Sequence, residues 1–217
     1  MKTGNMRRAA AAAVLALAVG SGLASCSSDD SANSSGQTQQ VDLSAAPADT
    51  SWVAGPAGLE YPVSGDAGPS ETSGPVPRGF AASPQGAVVA AVVTQVFMSG
   101  ADDDTWPEVS QVLLEPGPGR DQWAQARALM SVGTQPLDNP PVFRGFRVSD
   151  YSDSEAVVTL AVSYPTGQLA VLPVQMSRAS GDWKAVLPTQ EDAPDLQEIS
   201  EEELKSKFTA FGPREEG

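Results

Sequence analysis

The sequence predicts an α+β domain of about 110 residues, 80–190, behind a disordered N-terminal region. Three observations carry that expectation. Apolar residues recur with a helical period up to about Val132, and the period changes to two beyond Asp138-Asn139-Pro140-Pro141. The alternating stretches are joined by turns of only a few residues, which makes them an antiparallel meander. The first 50 residues hold almost no bulky apolar side chain outside one short run.

That run opens the chain. Lys2, Arg7 and Arg8 precede an apolar stretch from Ala9 to Val19, and Gly20-Ser21-Gly22 and Leu23-Ala24-Ser25-Cys26 follow. A basic segment, an apolar stretch of this length and small residues before a cleavage point describe a signal peptide over residues 1–25. The stretch is too short to span a bilayer, which takes about 20 apolar residues. Residues 26–50 are mostly Ser, Asp, Asn, Gln, Ala and Gly with almost no bulky apolar residue, and are expected to form a disordered tether. A flexible chain of that length has an r.m.s. span of roughly 25–30 Å. Residues 51–79, punctuated by Gly55-Pro56, Tyr61-Pro62, Gly68-Pro69 and Gly74-Pro75, are expected to be an extended strap laying Trp52, Leu59 and Tyr61 over the domain.

In the domain, Ser83 and Pro84 suit the N-cap and first position of a helix whose run from Gly86 to Met98 is apolar on nearly all sides, a buried central helix. Thr105 and Glu108 have the spacing of a capping box for a second helix. A third, about Arg120 to Val132, places Trp123, Ala126 and Met130 on one face. Four strands follow: Phe143 to Ser149, Glu155 to Tyr164, Gln168 to Met176 and Trp183 to Leu187. Residues 191–217 are an acidic tail in which Ser200 and Glu203 start a short amphipathic helix carrying Leu204 and Phe208.

Composition narrows the chemistry. The 217 residues include no histidine and one cysteine, which removes imidazole catalysis, His-ligated zinc, internal disulfides and CxxC redox pairs. The net charge of −14 argues against nucleic-acid binding. No cofactor is expected, and no metal. Asp102-Asp103-Asp104 lacks the alternating ligands, central glycine and bidentate glutamate of a calcium loop and is read as helix capping. Asp150 or Asp153 beside Tyr151 is a formal acid/base pair, but it lies in a Ser/Asp turn where such residues are expected anyway. Trp106, Trp123, Tyr151 and Tyr164 are candidate pocket-lining residues, with core packing the alternative for each. The expectation is that the protein is not an enzyme.

Two resemblances add to this reading. Leu23-Ala24-Ser25-Cys26 resembles the bacterial lipobox, which implies cleavage before Cys26 and a diacylglyceryl group on its sulfur. Removing the signal leaves 10 cations against 27 acids, a net charge of −17. The helix-first order, the strand meander and Gly181-Asp182-Trp183-Lys184 resemble the NTF2-like (cystatin-like) cone fold over Phe80 to Pro188. Trp52, Tyr61-Pro62-Val63-Ser64, Gly68-Pro69 and the run Arg78 to Ala87 look like an uncharacterised family of actinobacterial exported proteins often carried on integrative conjugative elements. The resemblances imply a lipid-anchored interaction or assembly module on the outer face of the cytoplasmic membrane, with a protein partner in a conjugation or secretion machine. The alternative is a ligand-binding lipoprotein with a small apolar pocket, and a cone-fold enzyme stands behind both.

Overall fold

The computed structural model describes residues 41–214. Four α-helices and eight strands make a mixed α+β unit with antiparallel sheets. Cys26, the signal segment and most of the expected tether lie outside the described residues.

The tether does not run to residue 50. Pro47 is buried, and the Gln85 amide donates to the carbonyls of Asp42 and Ala45. The Asp42 carboxylate accepts from the backbone N–H and the hydroxyl of Ser44, which holds its pKa below the usual carboxylate range. The expected strap is likewise more than extended chain. Strands β1 (Thr50–Ala54) and β2 (Glu60–Ser64) form an antiparallel hairpin around one 3₁₀ turn. Leu59, Ala67 and Val76 from this stretch enter the main core. Sparse large residues suffice here because Leu59 and Tyr61 meet a ready-made apolar surface on the first helix: Tyr61 lies edge-on to Phe97 at 5.4 Å.

That helix, α1 (Pro84–Gly100), starts where the sequence places it, with the Ser83 hydroxyl accepting from the Gly86 N–H at 3.0 Å. Its residues from Ala87 to Val93 are fully buried, as expected of a helix apolar all round. Helix α2 (Trp106–Val112) departs from the expected capping box. Thr105 is already helical in φ and ψ and its side chain caps nothing. Asp102 takes the role, accepting from the Thr105 N–H at 2.9 Å, and Glu108 instead pairs with Arg78 at 2.6 Å. Helix α3 (Pro118–Ala128) starts earlier and ends earlier than expected. Ala126 and Met130 are exposed, Trp123 is half-buried against the core as expected, and Arg127 is buried.

The main sheet is built from β3 (Val142–Tyr151), β4 (Glu155–Ser163), β5 (Leu169–Ser177) and β6 (Lys184–Val186), in the expected meander. The acidic tail adds elements the strand pattern does not announce. Strand β7 (Gln197–Glu198) pairs with β5, and helix α4 (Glu201–Lys207) follows with both halves of its capping box formed. Strand β8 (Thr209–Ala210) then pairs with β3. The sheet is therefore covered on both faces. One face packs on α1 in the main core, and the other holds a smaller core of Ala161, Leu169, Val171 and Leu204 with Ile199 and Phe208 against it. This explains why β4 has buried residues in succession from Val158 to Val162 rather than strict alternation.

Candidate functional site

Two places gather polar and aromatic residues from distant parts of the chain. The first is a clasp. The Asp182 carboxylate accepts from the backbone N–H groups of Gly79, Phe80 and Trp183 at 2.7, 2.9 and 2.9 Å. The fully buried Trp183 donates its indole N–H to the Ala81 carbonyl at 2.9 Å. Gly79 has φ +84, a left-handed conformation that costs glycine little, and a Cβ there would collide with the Ser70 hydroxyl. The clasp binds the stretch before α1 to the turn before β6, and all of its donors and acceptors are satisfied internally. It is a structural device with no open group for a ligand.

The second is a cleft of about 660 Å³ bordered by β1, β3, α4 and the chain after β8. Each wall follows from local sequence. The capping box at Ser200 fixes the start of α4, and Leu204 and Phe208, four residues apart, turn toward the sheet. Lys207 pairs with Glu203 at 2.7 Å across one turn and holds that carboxyl below its ordinary pKa. Gly145 lets β8 approach, since a Cβ there would stand 2.7 Å from the Thr209 carbonyl oxygen. The aromatic floor is preformed: Trp52 stacks with Phe143 at 6.5 Å and meets Phe211 at 5.2 Å, and Phe211 meets Phe146 edge-on at 5.7 Å. Arg144, Lys205 and Arg214 stand around this floor with Glu201. Arg144 reaches Glu201 only at 3.8 Å. A smaller cleft on the other side of Phe208 is lined by Arg147 and Lys207, and the Arg147 guanidinium lies 5.3 Å from the Phe208 ring centre. These five cations are half of the ten Lys and Arg among the described residues, so a chain of strongly negative net charge concentrates its positive charge here.

The aromatics singled out from sequence do not converge on one pocket. Trp106 and Trp123 pair edge-on at 6.1 Å, with the Arg127 guanidinium 5.9 Å from the Trp106 ring centre. Tyr151 packs beside Trp183 at 6.2 Å; partial burial, then the nearby Asp153 charge, raise its phenol pKa. Tyr164 alone of the four borders one of the described cavities, about 180 Å³ between α1 and the sheet, with Leu59, Val96, Leu137 and Phe143. Asp150 and Asp153 are both exposed, and neither carboxylate makes a hydrogen bond to Tyr151 among the described residues. The Asp103 carboxylate accepts from the Val132 N–H, the Ser131 hydroxyl and the buried Arg127, at 2.9, 2.8 and 2.9 Å. These bonds, the Val132 N–H first among them, hold Asp103 below the ordinary range, and the same chemistry through Thr105 lowers Asp102. Asp102 thus caps and Asp103 braces, and no group of three or more potential metal-ligating side chains is present among the described residues.

Sequence reasoning missed the cleft residues Trp52, Phe143, Arg144, Lys205, Phe208, Phe211 and Arg214 as a site. One signal pointed there: Lys205, Lys207 and Arg214 lie together in an otherwise acidic tail.

A family model described as a domain of unknown function (DUF8175) matches residues 13–203. No curated protein and no solved structure matches the chain.

Proposed function

The chain belongs to the DUF8175 family, and we propose that it is a lipid-anchored extracytoplasmic interaction module, an accessory of a conjugation or secretion machine. One observation carries the choice of a surface-binding role: side chains leave only about 180 Å³ between α1 and the sheet, while a cleft of about 660 Å³ opens at the sheet edge beside α4. The helix-first order and the four consecutive antiparallel strands support an NTF2-like reading of the core, with α4, β7 and β8 as additions to it. The lipobox-like Leu23-Ala24-Ser25-Cys26 supports the anchor, because two acyl chains on one cysteine give stable attachment where one does not. No helix among the described residues is long and apolar enough to cross a membrane.

The alternative, a lipoprotein enclosing a ligand between helices and sheet, has less support. The cavity there is about 180 Å³, below the ~300–1,000 Å³ of small-molecule sites. The anchor is tested by membrane fractionation of Cys26→Ala in the native host. Wild type pellets with membranes and the variant is released; equal retention of both sinks the anchor. Membership of a machine is tested by crosslinking through a photoreactive residue at Ala210, which lines the cleft, against the same residue at exposed Gln125 on α3. A discrete adduct from Ala210 alone is the expected result, and adducts from both positions or neither overturn it.

A further inference from the structure

We propose that the cleft between β1, β3 and α4 binds a small amphipathic carboxylate, an aromatic or acyl body carrying one anionic group. This deepens the reading of the cleft as the binding surface by naming the chemistry it takes; it rests on that reading and does not depend on the anchor. The volume of about 660 Å³ falls within the range of small-ligand sites. Its floor is apolar and rigid, because Trp52, Phe143 and Phe211 are already packed on one another and on the core. A ligand body therefore meets a preformed surface and pays little ordering cost.

The rim selects the charge. Arg144, Lys205 and Arg214 face one carboxylate, Glu201, so the cleft is net cationic in a chain that is net anionic. Lys205 and Arg214 are exposed and make no ion pair among the described residues. Arg144 holds Glu201 at 3.8 Å, longer than the 2.6 Å of Arg78 with Glu108, which leaves its fork open to a better-placed carboxylate. An uncharged apolar ligand would leave these donors facing an apolar body, and a dianion would crowd Glu201. One negative charge beside one apolar body matches what lines the cleft.

The test uses the full chain in nanodiscs of phosphatidylcholine, with empty discs as blank, and equilibrium dialysis of 2-naphthoate against its neutral isostere 2-naphthamide. Naphthoate should bind at one site per chain and at least tenfold more tightly than the amide. Lys205→Gln/Arg214→Gln, which changes only exposed side chains, should weaken naphthoate about tenfold, or about 1.4 kcal/mol, and leave the amide unchanged. Ala210→Trp, which fills the cleft from an exposed position, should abolish both. Equal affinity for the two probes, or an unchanged affinity in the double variant, overturns the proposal. So does binding that appears only when residues 27–40 are deleted, since the chain itself would then be the occupant. Binding lost as protein concentration rises assigns the cleft to a second copy, and binding lost in phosphatidylglycerol discs assigns it to lipid headgroups; either result also overturns it.

Discussion

Asp182 accepts from three backbone amides, two of them about a hundred residues away in sequence, and that arithmetic predicts its weight. Hydrogen bonds to a charged group are worth about 1.5–3 kcal/mol each, and removing the carboxylate strands donors that are half-buried. Asp182→Ala should therefore lower unfolding free energy by about 3 kcal/mol in a urea titration. A loss under about 1 kcal/mol would show that water replaces the carboxylate and that the clasp is dispensable. Thr94 makes the opposite case. Its hydroxyl is fully buried on α1 and finds no partner among the described residues, so the isosteric Thr94→Val should raise stability by about 1 kcal/mol in the same assay. Asp103 supplies the pH signature. Its pKa is lowered in the fold by the Val132, Ser131 and Arg127 bonds from the ordinary carboxylate value of 3.8. A depressed carboxylate stabilises above its unfolded pKa, and that stability is lost as pH falls through the folded one. The advantage of wild type over Asp103→Asn should then be full at about pH 7 and shrink as pH drops below about 3.8. An advantage that does not change with pH would mean the bonds do not depend on the charge.

At the scale of elements, α4 anchors the smaller core on the second face of the sheet through Leu204. It has seven residues, too few to be stable alone, and it persists because its capping box and Leu204 tie it to the sheet. Leu204→Ala should cost about 2–3 kcal/mol by creating a void against Ala161, Leu169 and Val171. The same change should open the floor of the cleft, so ligand affinity and stability would fall together, whereas Lys205→Gln moves affinity alone. The capping boxes also show the limit of reading spacing. Ser200 with Glu203 and Thr105 with Glu108 have the same S/T-x-x-E pattern, yet only the first forms. At α2 an acid three residues earlier, Asp102, takes the Thr105 N–H that Glu108 would accept from in a capping box, Arg78 draws Glu108 away, and the Glu108 N–H goes to the Thr105 carbonyl. Neither competitor is visible in a four-residue window, because one precedes it and the other arrives from the stretch ahead of α1.

For the molecule as a whole, local order decides what was legible. The α+β class, the buried α1 and the meander from β3 to β6 follow from periodicity, turns and a cap, all encoded within short stretches of chain. The same local signals left residues 41–50 to the tether and gave 51–79 as an extended strap without its hairpin, although the few large side chains of that strap pack on the core as expected, because α1 offers them a surface. They also gave no hint that the acidic tail would close the second face of the sheet. A strand of two residues such as β8 has no periodicity to read and exists through its pairing with β3, which Gly145 permits. The candidate site suffers the same way: Trp52, Phe143, Arg144 and Lys205 come from three separated segments, and only the packing of β1 and α4 beside β3 brings them to one cleft. The sequence by itself determined the helix and strand core, the absence of imidazole chemistry and the acidic charge, because composition and short-range pattern are properties of the unfolded chain as much as the folded one. The tertiary structure alone decided where the cations gather, which carboxylate caps which amide and which aromatics form a floor. Those are long-range contacts, and no local energy term specifies them until the core has closed.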